Sequence, residues 1–402
     1  ARAVASVSQA SRAAANGTAV SYVLTMNGYV PTDGAYILVT GANGFIGKNL
    51  IVRLSEQVGV EVLSFVHGDS IKVLNALVAQ ANAIVHLAGE NRPVDVADFV
   101  IVNTDLTRTL CEAIRATGRN IPLILASSTQ AGQDNPYGQS KRAAEEVVEA
   151  FATETGNRAV IYRLPGVFGK WCKPNYNSVV ATFCHNIARD LPIQVNDAAA
   201  IVQLVYVDDV VDGFLRALDD AQSGLVWAKI DQTYTITLGE LAEQIAAFQS
   251  CRTNLISERV GTGLVRALYS TYISYLPPEQ FAYDLPTYGD ERGIFVEMLK
   301  TPDCGQFSFF TLHPGIMRGS HYHHTKTEKF LVLSGVARMR FRQIVTGETY
   351  EVTVSRDKLQ VVDTIPGWVH DITNVGDCEV VVMLWANEVF DRQKPDCIPC
   401  EV

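Results

Sequence analysis

Two rhythms of apolar and polar positions divide the chain. In the first, short β-branched runs alternate with stretches of helical spacing. Tyr36–Thr40 (YILVT), Glu61–Val66, Ala83–Leu87 and Pro122–Ala126 read as buried strands. Between them, Lys48–Gln57 carries Leu50, Ile51 and Leu54 on one helical face, and Asn103–Ala116 reads as an amphipathic helix. Strands alternating with helices predict an α/β, doubly wound parallel sheet. After Pro277-Pro278 the second rhythm begins, with Phe307–Leu312, Phe330–Leu333, Ala337–Arg342, Thr349–Val354, Gln360–Asp363 and Glu379–Trp385 as short strands separated by turns. Regular short strands predict an all-β sandwich or barrel. The expected organisation is an extension of unknown role over 1–34, an α/β unit over 35–280 and a β-barrel over 281–402.

Composition narrows the class. A chain of 402 residues that is 48% apolar and 19% charged is an ordinary soluble protein with room for two or three domains. Its net charge of -10 argues against nucleic acid and anionic membrane as partners, and no apolar run reaches the length of a membrane span. The first 34 residues lack the compact apolar block of a signal peptide, so a cytoplasmic protein is expected and the sequon Asn16-Gly17-Thr18 carries no weight. The eight cysteines are scattered, and Cys397 and Cys400 form one lone C-x-x-C pair, which is expected to be inert.

Chemistry enters at the end of the first strand. Gly41-Ala-Asn-Gly44-Phe45-Ile46-Gly47 joins that strand to a helix, the context in which glycines let the backbone approach a pyrophosphate and a helix N-terminus supplies N–H groups. Leu87, Ala88 and Gly89 close the third strand beside it and complete the expected cofactor contacts. The second strand ends in Phe65-Val66-His67-Gly68, with no acid placed for a ribose 2′-hydroxyl and Asp69 slightly late, which favours NADPH over NADH. Further on, Ser127-Ser128-Thr129 ends a strand, and Tyr137 and Lys141 lie four apart at a helix start. An ammonium beside a phenol favours the phenolate. Such a Tyr exchanges a proton with a carbonyl oxygen, which a Ser hydroxyl holds.

TGANGFIG, HLAG, the serine cluster and YGQSK together resemble the extended short-chain dehydrogenases/reductases that act on sugar nucleotides. The resemblance implies Tyr137 as acid/base, Lys141 as ribose ligand and Ser128 as substrate-orienting hydroxyl, with Ser127 and Thr129 as alternatives. Arg163-Leu-Pro-Gly-Val-Phe-Gly169 is similar to the family's strand and loop over the nicotinamide. Tyr206-Val-Asp208-Asp209 is similar to a stretch that begins with His in the family, and its acids are expected to cap a helix. Asn91, Arg92, Arg163 and the polar, aromatic loop with Lys170, Lys173, Asn175 and Asn177 are expected to bind the substrate.

Five of the eight histidines fall in the second part. His321 and His323 share one side of a strand by their period of two. With Glu328 and His370 they offer three imidazoles and a carboxylate, a set suited to Zn, Fe, Ni or Mn, with zinc expected. The spacing of Gly315, His321, His323, Glu328, Gly335, Pro366, His370 and Asn374 is similar to the two-part cupin motif. Asp290-Glu-Arg292-Gly-Ile-Phe295 resembles the entry strand of sugar 3,5-epimerases, where an Arg binds the nucleotide phosphates.

The whole from Tyr36 to Val402, with NPYGQSK, GKWCKPNYNSV and HTKTEKFLVLSG, closely resembles the bifunctional capsular-polysaccharide and O-antigen enzymes. That resemblance implies a UDP-activated amino sugar, UDP-2-acetamido-2,6-dideoxy-4-keto-L-hexose. The cupin would epimerise C3, and the reductase would reduce the C4 ketone with NADPH to the L-talose product, on the way to N-acetyl-L-fucosamine. His324, Tyr322 and Lys329 stand near enough in sequence to supply the cupin's base. Alternatives are a 4,6-dehydratase or 4-epimerase on the same scaffold, a cupin that only binds or dimerises, and an NADP-sensing regulator. A homodimer is expected, as is common in both parent families.

Overall fold

In the computed structural model, residues 22–25, 28–31 and 34–402 are described, except 221, 278, 279, 281, 282, 324, 325, 345, 366 and 394. The chain parts into two compact units, residues 1–165 with 207–232 and residues 166–206 with 233–402. Before the first unit's sheet, Tyr22–Thr25 and Gly28–Pro31 pair as an antiparallel hairpin, so part of the extension is built as strand.

The first unit is a six-stranded parallel sheet. Its order is Leu225–Ala228, Ala159–Leu164, Leu123–Ser128, Ala83–His86, Ala35–Thr40, Val60–Phe65. Leu38, Ile84, Leu123, Leu125 and Ile161 on these strands are buried against Leu74, Leu110, Ile114, Val148 and Phe151 of the flanking helices. Burial on both faces is why the strands read as continuous apolar runs rather than as alternation.

The expected helix Asn103–Ala116 lies within a longer helical stretch, in which Ala97–Phe99 and the π-helical Val100–Asp105 run directly into Leu106–Ala116. The Asn103 side chain is committed to Glu90 and Ser140. The helix Pro136–Thr155 starts where its sequence dictates. Asn135 accepts the Gly138 N–H at 2.8 Å, and Pro136 sits where no amide donor is needed. Asp208 and Asp209 lie in the first turn of the helix Val207–Asp219, as expected.

The second unit opens with a small sheet ordered Tyr234–Thr237, Ile201–Tyr206, Gly166–Phe168. Helices Val179–Ile187, Leu238–Asn254 and Gly263–Ser274 pack on it around Phe168, Phe183, Leu241, Phe248 and Tyr272. The rest is a β-sandwich of two antiparallel sheets. One runs Thr287–Asp290, Gly293–Thr301, Gly305–Leu312, Val380–Ala386, Glu328–Ser334, Val361–Asp363. The other runs Thr349–Ser355, Val336–Gln343, Trp368–Asn374, Met317–Tyr322, Ile398–Pro399. Phe310, Phe330, Val332, Met339, Phe341 and Ile372 fill the space between them. The strand Met317–Tyr322 contains His321, as its period with His323 led one to expect, but ends one residue before His323. The strand Trp368–Asn374 was not expected, because WVHDITN carries polar side chains toward the interior. No helix among the described residues is long and apolar enough to cross a membrane.

Candidate functional sites

In the first unit, Gly41 follows the first strand with φ +67, and a Cβ there would stand 2.7 Å from the Ala88 nitrogen. Glycine is therefore required where the turn passes under the end of the third strand. A Cβ on Gly47 would stand 2.5 Å from the Gly41 carbonyl oxygen. The helix Phe45–Ser55 starts at Gly44 with no side-chain cap, so its first N–H groups face the turn rather than a capping oxygen. Gly41, Gly44, Phe45, Ile46, Gly47, Leu87, Ala88 and Gly89 are thus gathered at one end of the sheet.

Behind this turn runs a chain of buried hydrogen bonds that the sequence reading missed. Thr40 Oγ1 lies 2.6 Å from His86 Nδ1, and His86 Nε2 lies 2.9 Å from Thr107 Oγ1. Thr107 in turn donates to the Asn103 carbonyl at 2.6 Å. Burial first, then the charge of Lys141, push His86 down to about 3, so it is neutral. A polar residue inside the buried run AIVH was the available signal.

Tyr137 and Lys141 both come from the helix Pro136–Thr155. Lys141 is buried, donates to the Ala126 carbonyl at 2.8 Å, and is pushed by burial down to about 8 while Glu145 pulls it up. Tyr137 is raised by burial, against the expectation that Lys141 would lower it, and the hydrogen bond with Ser128 is what offsets the rise. Of the three hydroxyls at the strand end, Ser128 is half-buried and accepts the Gln130 N–H at 3.2 Å. Ser127 is buried and donates to Glu145 at 2.5 Å, while Thr129 is exposed. Asn103 ties the loop after the third strand to this helix. It accepts from the Glu90 N–H at 2.8 Å and donates to Ser140 Oγ at 2.9 Å.

The expected substrate contacts fall into distinct settings. Asn91 and Arg92 are exposed, and their N–H groups donate to Glu90 Oε1 at 2.8 and 2.9 Å. Arg163 is held bidentately by the buried Glu145 at 2.9 and 2.7 Å, with its guanidinium 4.9 Å from the Trp227 ring centroid. Lys170 and Lys173 lie over Trp171 and Tyr176 in the second unit. Asn175 takes φ 53 and Asn177 is exposed in the same loop. Arg292 is exposed and pairs with Asp290 at 2.5 Å.

The sandwich brings together all four expected ligands. One donor atom each from His321, His323, Glu328 and His370 lies within 4.8 Å of the others. A bulge between Gly319 and His321 turns His321 toward its cross-strand partner His370, with ring centroids 4.7 Å apart. The strand ends at Tyr322, so His323 reaches the cluster from just beyond it. Glu328 Oε2 lies 3.2 Å from His323 Nε2 and 3.5 Å from His370 Nε2. Among the described residues, the buried His370 Nε2 has no hydrogen-bond partner, and imidazole nitrogens converging on a carboxylate fit a cation between them. Burial and the neighbouring His370 and His323 push His321 down to about 4. Burial opposes charge on Glu328, yet His323, His370 and Lys326 hold it well below the usual carboxylate range.

Of the three candidates for a base, His324 lies outside the described residues. Lys329 points away from Glu328 and pairs with Asp363 at 2.5 Å on the surface. Tyr322 is half-buried at the end of the ligand strand. Lys326, which the sequence reading passed over, is buried with Nζ 2.8 Å from Glu328 Oε1.

Comparison with known proteins agrees with both halves. The profile of the NAD dependent epimerase/dehydratase family matches residues 37–228, and that of the polysaccharide biosynthesis C-terminal domain matches residues 288–398. The chain is 55% identical to the UDP-2-acetamido-2,6-beta-L-arabino-hexul-4-ose reductase of Pseudomonas aeruginosa, over 91% of this chain and 98% of that one. Among solved structures it resembles the capsular polysaccharide assembling protein CapF of Staphylococcus aureus, with TM-score 0.83 and 42% identity over 91% of this chain and 100% of that one. CapF with the inhibitor 3-isopropenyl-tropolone aligns at TM-score 0.79 and 38% identity, over the same 91% and 100%. The chain belongs to the family of these sugar-nucleotide enzymes of polysaccharide biosynthesis, in which a short-chain dehydrogenase/reductase is joined to a cupin.

Proposed function

We propose that this enzyme acts on UDP-2-acetamido-2,6-dideoxy-4-keto-L-hexose, inverting C3 in the cupin and reducing the C4 ketone in the reductase to the L-talose product. The observation that carries the reading is the helix Pro136–Thr155, which places Tyr137 one turn from the buried Lys141, itself tied to the Ala126 carbonyl on the strand that ends at Ser128. The relative that is 55% identical is named for a UDP-hexulose reductase.

Bound NADPH supplies the hydride, which goes to C4. Tyr137 gives its phenolic proton to the C4 oxygen, Ser128 holds that oxygen, and Lys141 is the ligand for the nicotinamide ribose. Asp69 supports NADPH over NADH, because its carboxylate accepts the Val66 N–H at 2.8 Å instead of standing ready for a ribose hydroxyl. We assign substrate recognition to the loop with Lys170, Lys173, Asn175 and Asn177, with Asn91, Arg92, Arg163 and Arg292 as further contacts.

In the cupin, His321, His323, Glu328 and His370 would hold a divalent cation, zinc by the donor set. Such an ion supplies Lewis acidity to the site. The C3 proton is acidic only while C4 is a ketone, so inversion precedes reduction. We place the functional boundary between 35–280 and 281–402, and the protein in the cytoplasm as a homodimer. The test is turnover of NADPH with the UDP-4-keto sugar by wild type and Tyr137→Phe. Consumption that the substitution abolishes supports the reading, and consumption that survives it removes Tyr137 from the chemistry.

A further inference from the structure

The ligands of the cluster are held by residues well outside the cupin motif. Asp396 presents its carbonyl to Nδ1 of His323 and its carboxylate to the Lys326 N–H at 2.9 Å. Ile398 and Pro399 pair with Tyr322 and His321. The Cys400 N–H donates to the Ser320 carbonyl at 3.0 Å, at the bulge that turns His321 inward. Arg342 holds the Glu401 carbonyl and lies 3.3 Å from Cys400 Sγ.

These contacts fix what the ligands present. A neutral imidazole that donates from Nδ1 carries its lone pair on Nε2. With the Asp396 carbonyl at Nδ1, Nε2 is the nitrogen of His323 that faces Glu328 Oε2, 3.2 Å away, where a bound cation would sit between them. The Lys326 ammonium occupies Glu328 Oε1 at 2.8 Å, which leaves Oε2 as the oxygen facing the histidines. Lys326 lies two residues before Glu328, just ahead of the strand Glu328–Ser334.

We infer that the segment Asp396–Cys400 and Lys326 are positioning elements of the metal centre, the first setting the His323 tautomer and the His321 bulge, the second making Glu328 a one-oxygen ligand. This rests on the metal reading of the preceding subsection. The test is Co(II) titration of the metal-stripped full chain, read by the visible spectrum of the bound ion and by competition with a chelator. Lys326→Met and a chain ending at Pro395 should each weaken Co(II) about 10- to 100-fold, as loss of outer-sphere partners does elsewhere. Lys326→Met should also alter the visible spectrum as Oε1 becomes available, and Lys326→Arg should restore much of the affinity. Should the shortened chain not fold, Lys326→Met carries the test. Wild-type affinity and spectrum in Lys326→Met would overturn the inference while leaving the metal centre intact. A wild-type chain that takes up no Co(II) would overturn the metal reading and this inference with it.

Discussion

The hydroxyl of Thr40 and Nδ1 of His86 meet across 2.6 Å between neighbouring parallel strands, directly behind the glycine turn. Thr40 Oγ1 also accepts the N–H groups of Leu87 and Ala88 at 3.2 Å each, so its own proton goes to His86. His86 then donates from Nε2 to Thr107, and both ring nitrogens are used with the ring uncharged.

That arrangement makes the first unit sensitive to acid. The unfolded chain protonates His86 near pH 6.5, while the folded chain resists to about 3. Between these values the unfolded state binds the extra proton. The stability contributed by the neutral ring is therefore complete above pH 6.5 and is lost as pH falls toward 3, by about 1.4 kcal/mol per pH unit. His86→Gln should be less stable than wild type at neutral pH, since two hydroxyls lose their partner. It should nevertheless lose less melting temperature between pH 7 and about pH 5. Parallel pH profiles for the two proteins would show that His86 is not the linked group.

The three hydroxyls at the end of the strand Leu123–Ser128 should separate by function. Ser128→Ala removes the hydroxyl assigned to hold the C4 oxygen and should lower kcat by about 100-fold with the keto sugar. Ser127→Ala leaves a buried Glu145 oxygen short of one donor, so it should lose about 1–3 kcal/mol of stability and keep most of its turnover. Thr129→Ala, at an exposed position, should change neither. Steady-state kinetics and thermal melts of the three variants decide this, and a Ser127→Ala enzyme as slow as Ser128→Ala would move the catalytic hydroxyl.

Much of this was legible because the sequence states its own packing. The strands of the parallel sheet are apolar on both faces, and the glycines stand where a Cβ would meet the backbone of Ala88 or Gly41. The four expected cupin ligands were legible from the resemblance of their spacing to the two-part cupin motif, and the structure brings them within 4.8 Å of one another. What was hidden depends on contacts between residues far apart in the chain. Nothing local marks Asp396 as the partner of His323, or Arg163 as the partner of Glu145. The strand Trp368–Asn374 was hidden for a related reason, since it carries His370 inward where a core strand carries an aliphatic side chain.

Gly47 tests the cofactor turn without touching the acid/base pair. A methyl group there would lie 2.5 Å from the Gly41 oxygen and 2.7 Å from the Ala42 oxygen, both backbone atoms that cannot swing aside. Gly47→Ala should push the helix Phe45–Ser55 off the strand, at a cost of about 1–3 kcal/mol, and weaken NADPH binding more than it lowers kcat at saturation. Gly68→Ala is the control, because nothing lies within 4 Å of a Cβ there, although its φ of +95 adds some strain. Equal NADPH affinity in Gly47→Ala and wild type would mean that the turn does not approach the pyrophosphate.

The two halves should come apart in a pair of complementary variants. Tyr137→Phe removes the proton donor of the reductase and leaves the sandwich untouched, so it should consume no NADPH yet still carry solvent deuterium into C3 of the keto sugar. Glu328→Gln keeps the size of the ligand and removes its charge, leaving the lone pairs of His323 and His370 without a carboxylate partner in the cluster. It should bind metal far more weakly and lose C3 exchange, as should wild type stripped by a chelator. Its reductase should still oxidise NADPH with a substrate whose C3 is already inverted. Mixing the two variants should restore both steps, because the inverted ketone made by one is the substrate of the other. If Tyr137→Phe also stops C3 exchange, the inversion belongs to the reductase site, and the cupin is then a binding module rather than an epimerase.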